Sequence, residues 1–241
     1  MKKITAIIGS PLSEEKSNTA ALTKIFCDLI KEKDDSIEYE IISLGNKKIA
    51  MCKGCWGCTS KGECIIKDDI TDLKEKLQNS DLVILGSPVY VHSVSAQFKA
   101  FADRIFIWYH LMKLIGKPVI TAVTTARTGR KPTEKYLKFI ACALGAIPIG
   151  HLRGIGFKPN TLQNIEMLKQ KYEKLAVKTI EILNGKKKIK PTSLNKLIFW
   201  GIKMKAKYGK KYLLFEHNYW KEHGWFDKSY KKIMNTGSSV N

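Results

Sequence analysis

Five times along this chain a short apolar run ends in a polar or glycine-bearing loop and gives way to apolar residues at helical spacing. The runs are KITAIIG (3–9), IEYEIISL (37–44), DLVILG (81–86), KPVITAVTT (117–125) and AIPIGHLRGIGF (146–157). Between and after them lie TAALTKIFCDLIKEK (19–33), DDITDLKEKLQN (68–79), SAQFKAFADRIFIWYHLM (95–112), TEKYLKFIACALG (133–145) and TLQNIEMLKQKYEKLAVKTIEILNG (161–185), each read as one helix. Apolar runs of this length alternating with helices of 10 to 25 residues imply βα units and a doubly wound parallel sheet covered on both faces. Gly145 and Gly185 close the last two helices, and Asp68 and Asp69 are expected to cap the helix they precede.

Ligands of such sheets sit beyond the carboxyl ends of the strands, which singles out the loops after strands 1, 3 and 4. GSPLSEEKSNT delivers Ser10, Ser17, Asn18 and Thr19 to a helix N-terminus, where backbone amides and the helix dipole favour a terminal phosphate. It matches neither the dinucleotide fingerprint nor the P-loop pattern. Helix capping by Ser17 or Asn18 alone would explain part of it. GSPVYVHSVS offers Ser87 and backbone groups to the edge of a planar ring, Pro88 to stiffen the turn, and Tyr90 and His92 to lie against the ring. The loop after strand 4, TTARTGRKP, contributes Thr125 and carries Arg127 and Arg130 around a single glycine.

Four of the six cysteines stand in CKGCWGCTSKGEC, at Cys52, Cys55, Cys58 and Cys64, with Gly54, Gly57 and Gly62 between them. Three readings fit: an iron–sulfur cluster, whose binding loop must curl around a cage and needs glycine to do so; a zinc ion, which usually takes two C-x2-C knuckles further apart; or reactive or disulfide-forming thiols. Cys27 and Cys142 lie on helices and read as small core residues. No acid–base dyad stands out, so no residue is assigned a catalytic role.

The residues Gly9, Ser10, Ser17, Asn18 and Thr19, followed by Pro88, Val89, Tyr90, Lys99, Phe101, Asp103 and Arg104, resemble the NADPH-dependent FMN reductase and flavodoxin-like superfamily. Together with the C-x2-C-x2-C-x5-C spacing, they resemble its iron–sulfur flavoproteins over roughly residues 1–185. The resemblance implies a five-stranded sheet of order 2-1-3-4-5, with FMN phosphate in the first loop and the isoalloxazine against Ser87, Pro88, Val89, Tyr90 and Thr125. It also implies a [4Fe-4S] cluster on the four loop cysteines, and a homodimer or homotetramer. Lys99, Asp103 and Arg104 are read as a charge cluster on the helix surface.

With 42 basic against 22 acidic side chains, the chain carries a formal charge of +20, and residues 186–241 hold fourteen lysines against three acids. That field favours an acidic redox partner such as ferredoxin, with NAD(P)H the alternative donor. After KKKIKP (186–191), read as a linker, the pattern turns basic and aromatic, so the chain divides into a 1–185 domain and a 186–241 extension that packs on the core or on a partner subunit. No run approaches the roughly 18 apolar residues of a spanning helix, and a cytoplasmic protein with no nucleic-acid partner and no membrane span is expected. Two rivals remain: a cluster-free NAD(P)H-dependent flavin or quinone reductase, and a zinc-ordered basic module for RNA or membranes.

Overall fold

A computed structural model of the chain describes residues 1–235. Strands β1 (Lys2–Ile8), β2 (Ile37–Ser43), β3 (Leu82–Pro88), β4 (Pro118–Thr125) and β5 (Ile147–Ile155) form one sheet of order β2-β1-β3-β4-β5. Every pairing is parallel, as the crossover helices require.

Side-chain alternation divides the sheet between two cores. Ile7, Val83 and Leu85 face one core, while Ile4, Ala6, Ile8, Leu82 and Ile84 face the other. Helices α1 (Asn18–Lys31) and α7 (Ile165–Leu183) cover the second face. The first face takes α3 (Ile70–Gln78), α4 (Ala96–Arg104), α5 (Phe106–Leu111) and α6 (Arg130–Ala143), while α2 (Gly57–Lys61) is a single short turn inside the cysteine loop.

Three expectations need correction. The segment 95–112 is two helices broken at Ile105, because in one straight helix Ile107 and Leu111 would lie about half a turn from the face of Phe98, Phe101 and Ile105. The break lets all five be buried. The helix expected from Thr161 starts at Ile165, since the Thr161 hydroxyl accepts the Phe157 and Lys158 amides at 3.0 and 2.9 Å and its own amide donates to Asn18 Oδ1 at 2.9 Å. Asp69 occupies the position before α3 but spends its carboxylate on the Lys48 amide, 2.7 Å away, rather than on a helix amide.

Beyond residues 184–192, α8 (Ser193–Tyr208) opens with a reciprocal Thr192/Asn195 capping box and is followed by α9 (Leu214–Glu222) and α10 (Tyr230–Asn235). The extension packs on its own chain. Phe199, Trp220, Trp225, Tyr230 and Ile233 join the first core. Its polar groups reach the same surface: Asn195 donates to the Ala146 carbonyl at 2.8 Å, Trp220 to the His110 carbonyl at 2.8 Å, and the Tyr230 hydroxyl to the Gly145 carbonyl.

Candidate functional site

The loops after β1, β3 and β4 meet at the carboxyl edge of the sheet. The contacts binding them together run through the residues singled out in sequence. Ser95, the cap of α4, donates to the Gly9 carbonyl and accepts the Phe98 amide at 3.1 Å. A Cβ on Gly9 would stand 2.4 Å from Phe98 Cβ, so only glycine permits the first loop to lie this close to α4. Ser10 is buried, with its hydroxyl accepting the Leu12 amide at 3.1 Å. Ser17 caps α1 by accepting the Ala20 amide at 3.2 Å. The next amides, of Asn18 and Thr19, are the first of the helix and have no intrahelical acceptor.

The side chains of Asn18 and Thr19 are engaged elsewhere. Asn18 Nδ2 donates to the Lys158 carbonyl at 2.7 Å, which joins the start of α1 to the loop after β5. Thr19 and Thr124 hydroxyls meet at 2.6 Å in a fully buried contact between α1 and β4. Ser10 and Ser17 thus bond within the first loop and the start of α1, whereas Asn18 and Thr19 tie that loop to distant elements.

On the second loop, the Ser87 hydroxyl donates to the Pro88 carbonyl at 2.8 Å and accepts the Ser95 amide at 3.0 Å. Tyr90 and Ser93 exchange two backbone bonds of 2.9 and 3.0 Å, closing a tight turn with Val91 and His92 at φ 49° and 60°. Left-handed backbone at two successive residues other than glycine, one of them β-branched, is strained, and such strain gathers at functional loops. The side chains at this turn are open: Tyr90 is 46% and Val91 99% exposed. His92 Nε2 lies 3.2 Å from the Thr128 hydroxyl, and Thr125 donates to the Thr128 carbonyl at 2.6 Å, so the third loop is fastened to the second. Gly129, at φ 80°, faces Val89 and His92 so closely that a side chain there would collide with both.

The cysteine loop is built differently. Cys52 and Cys55 are exposed, and Cys58 and Cys64 half-buried, all four as free thiols. Gly54, Trp56 and Gly62 take left-handed backbone at φ 63°, 57° and 75°, which turns the segment sharply between its cysteines. Among the described residues no three His, Cys, Asp or Glu side chains are gathered tightly enough to grip one metal ion. Even so, Cys58 senses all its companions: burial first, then the negative charges of Cys64, Cys52 and Cys55, push its thiol pKa up. Four cysteines within thirteen residues are the soft donor type that iron–sulfur and zinc sites use.

Sequence reasoning missed what fixes this loop. Arg104, expected on the surface, is buried, because the chain on both sides of the cysteines closes over its guanidinium. It donates to Asp68 at 2.5 and 3.0 Å and to the Ala50 and Ile66 carbonyls at 2.7 and 3.1 Å. Burial works to raise the Asp68 carboxyl, but Arg104 and the Ala50 and Ile70 amides outweigh it and hold the pKa below the ordinary value. The Arg104 Nε has no acceptor among the described residues, and the nearby Cys64 thiolate helps keep the guanidinium charged. Only Lys99 and Asp103 form the expected exposed pair, at 2.6 Å. No local pattern announces a contact between residues 36 apart. Ser95, by contrast, carried a readable sign as a serine opening a helical run.

The extension roofs the loop. Phe215 lies over Gly62, where an added Cβ would come within 2.2 Å of the ring. Trp56, 64% exposed, packs edge-on against Phe106 at 6.1 Å. Behind Phe106, His110 Nδ1 sits 2.7 Å from Glu216 Oε1, and the Glu216 side chain is fully buried.

A parallel sheet of this order is the flavodoxin-like architecture, and the family match makes the chain a flavin-dependent oxidoreductase. Residues 2–158 match the NADPH-dependent FMN reductase family. An iron–sulfur flavoprotein of Archaeoglobus fulgidus is 34% identical over 92% of this chain and 99% of its own. Another, from Methanocaldococcus jannaschii, is 32% identical over 77% of this chain and 100% of its own. The chain belongs to the NADPH-dependent FMN reductase family and, within it, to the iron–sulfur flavoproteins. The fold is shared with an FMN-dependent NADH-azoreductase from Bacillus anthracis solved with FMN, at a TM-score of 0.54 and 15% identity, covering 74% of this chain and 99% of that one. No helix among the described residues is long and apolar enough to cross a membrane.

Proposed function

We propose that the protein passes electrons between a reduced donor, FMN in the three-loop cleft and a [4Fe-4S] cluster on Cys52, Cys55, Cys58 and Cys64. The observation carrying this reading is a sharply turned loop of four free thiols, flanked by a buried Arg104–Asp68 pair and covered at Gly62 by Phe215. In it, Ser10, Ser17 and the first amides of α1 receive the phosphate, and Asn18 and Thr19 hold that loop in place. Ser87, Pro88, Val89, Tyr90 and Thr125 border the ring, with the strained turn at Val91 and His92 presenting backbone groups to it.

Flavin takes up a hydride or single electrons and a cluster moves one electron at a time, so together they convert a pair into two single transfers. The chain's own work is positional: Arg104 and Lys74 set positive charge beside the thiolates, and the three-loop network keeps the cleft in one shape. NAD(P)H or an acidic protein such as ferredoxin is the donor, the latter steered by the +20 charge. Assembly is as a homodimer or homotetramer.

Absorbance and EPR spectra of anaerobically prepared Cys55→Ser test the reading. The expected result is loss of the cluster signal with FMN retained. A wild type with FMN but no cluster signal would favour the plain reductase instead.

A further inference from the structure

Between the cysteine loop, α3, α5 and α9 lies a cavity of about 350 Å³, separate from the three-loop cleft. Its volume falls within the range of small-ligand sites. Cys64 forms part of one wall and Phe215 of the roof.

Its polar inventory is unbalanced. Lys74 and Lys113 are half-buried lining residues, and neither makes a salt bridge among the described residues. Each lies over an aromatic face: Lys74 Nζ 5.7 Å from the Trp108 centroid and Lys113 Nζ 4.9 Å from that of Tyr219. Burial lowers both ammonium pKa values, and the charge of Lys74 depresses Lys113 further. The Cys64 thiolate and Glu63 offset part of this at Lys74, but Glu63 and Glu75 are exposed at the rim. Tyr219 is 8% exposed, and its hydroxyl is buried without a hydrogen-bond partner. Two like charges lining one cavity, beside a buried phenol hydroxyl with no partner, cost stability unless something fills the space between them.

We infer that this cavity binds a small organic anion, a carboxylate on an apolar or aromatic body. The carboxylate lies between Lys74 and Lys113 and accepts a hydrogen bond from Tyr219, and the body rests against Trp108 and Phe215. A bare inorganic anion would satisfy the lysines but leave the aromatic wall uncovered. The ligand would abut Cys64, so within the function proposed above it is a molecule that meets the electron path at the cluster end, not the flavin end. The binding chemistry itself does not depend on iron being present.

Calorimetric titration of the full-length, anaerobically purified holoprotein with benzoate, acetate and inorganic phosphate tests this, with the flavin spectrum followed to exclude binding in the cleft. Benzoate is expected to bind saturably and more tightly than acetate or phosphate. Lys74→Met and Lys113→Met each weaken it about tenfold, Tyr219→Phe by about threefold to tenfold, and Lys74→Arg restores most of the loss. Lys174→Met, on the exposed face of α7, changes nothing. Absence of saturable binding, or equal affinity in wild type and Lys74→Met, would overturn the site. Acetate or phosphate binding as tightly as benzoate would overturn the apolar body. Iron analysis of the same preparation separates this outcome from that of the cluster: benzoate binding without iron would sink only the proposed relay.

Discussion

The three-loop cleft and the cysteine loop of this chain are held by different means. Around the cleft nearly every polar side chain singled out in sequence already has a protein partner: Thr19 with Thr124, Asn18 with the loop after β5, Ser87 with Ser95, Thr125 with Thr128. Within the cysteine loop the bonds are local, such as the Thr59 hydroxyl to the Trp56 carbonyl at 2.8 Å and the Gly62 amide to the Cys58 carbonyl at 2.9 Å, and the loop is tied to the rest of the fold from outside by Arg104, Asp68, Asp69 and Phe215. A cleft whose loops are fastened to one another keeps its shape before its ligand arrives. A loop with one helical turn and few ties to the rest of the fold leaves the placing of its exposed Cys52 and Cys55 to what the sulfurs hold, as is common for metal-binding segments.

Cutting the anchors is the severest test of that contrast. Arg104→Met leaves Asp68 without its cation and should cost about 3–5 kcal/mol in denaturant unfolding, with iron content falling far more than FMN content. If FMN fell equally, the two regions would be one cooperative unit. Acid sharpens the same point. The Asp68 pKa is lowered on folding, so its contribution is complete above the ordinary carboxylate value and fades as the pH falls through the folded one. Thermal melts of the wild type should therefore lose stability below about pH 4, and Asp68→Asn, already destabilised at neutral pH, should show a shallower acid limb.

Smaller effects follow from single contacts. Gly62→Ala forces a side chain onto left-handed backbone and into Phe215, and should cost about 1–3 kcal/mol while loosening the roof. On the cleft side, Thr19→Val removes one buried hydroxyl and leaves that of Thr124 unpaired, at about 1 kcal/mol and with weaker FMN retention on dialysis. Lys99→Met breaks only an exposed pair, and its melting curve should shift by less than the equivalent of about 0.5 kcal/mol.

Local periodicity made the sheet readable, because each strand buries both faces and each crossover helix shows one apolar side: Ile4 and Ile7, three residues apart, already belong to opposite cores. The same logic failed at Ile105, where an apolar run continued through a break that only tertiary packing reveals. The loops were legible as loops, since Gly9, Ser17 and Pro88 have conformational meanings independent of distant partners. Arg104 and Glu216 were not. A charged residue announces in sequence that it is charged, and only the fold tells whether a counter-charge and a lid await it. Asn18 and Thr19 stand out in sequence as phosphate-loop candidates, while their side chains meet partners more than a hundred residues away, which no local pattern shows.

The central claim is that the cysteine loop holds a cluster beside a flavin cleft. Quantifying iron, acid-labile sulfide, zinc and FMN in protein purified without oxygen tests it most directly. The account predicts about four iron and four sulfide for each FMN, with no zinc. FMN in full yield on protein free of iron and sulfide, or zinc in their place, would contradict it.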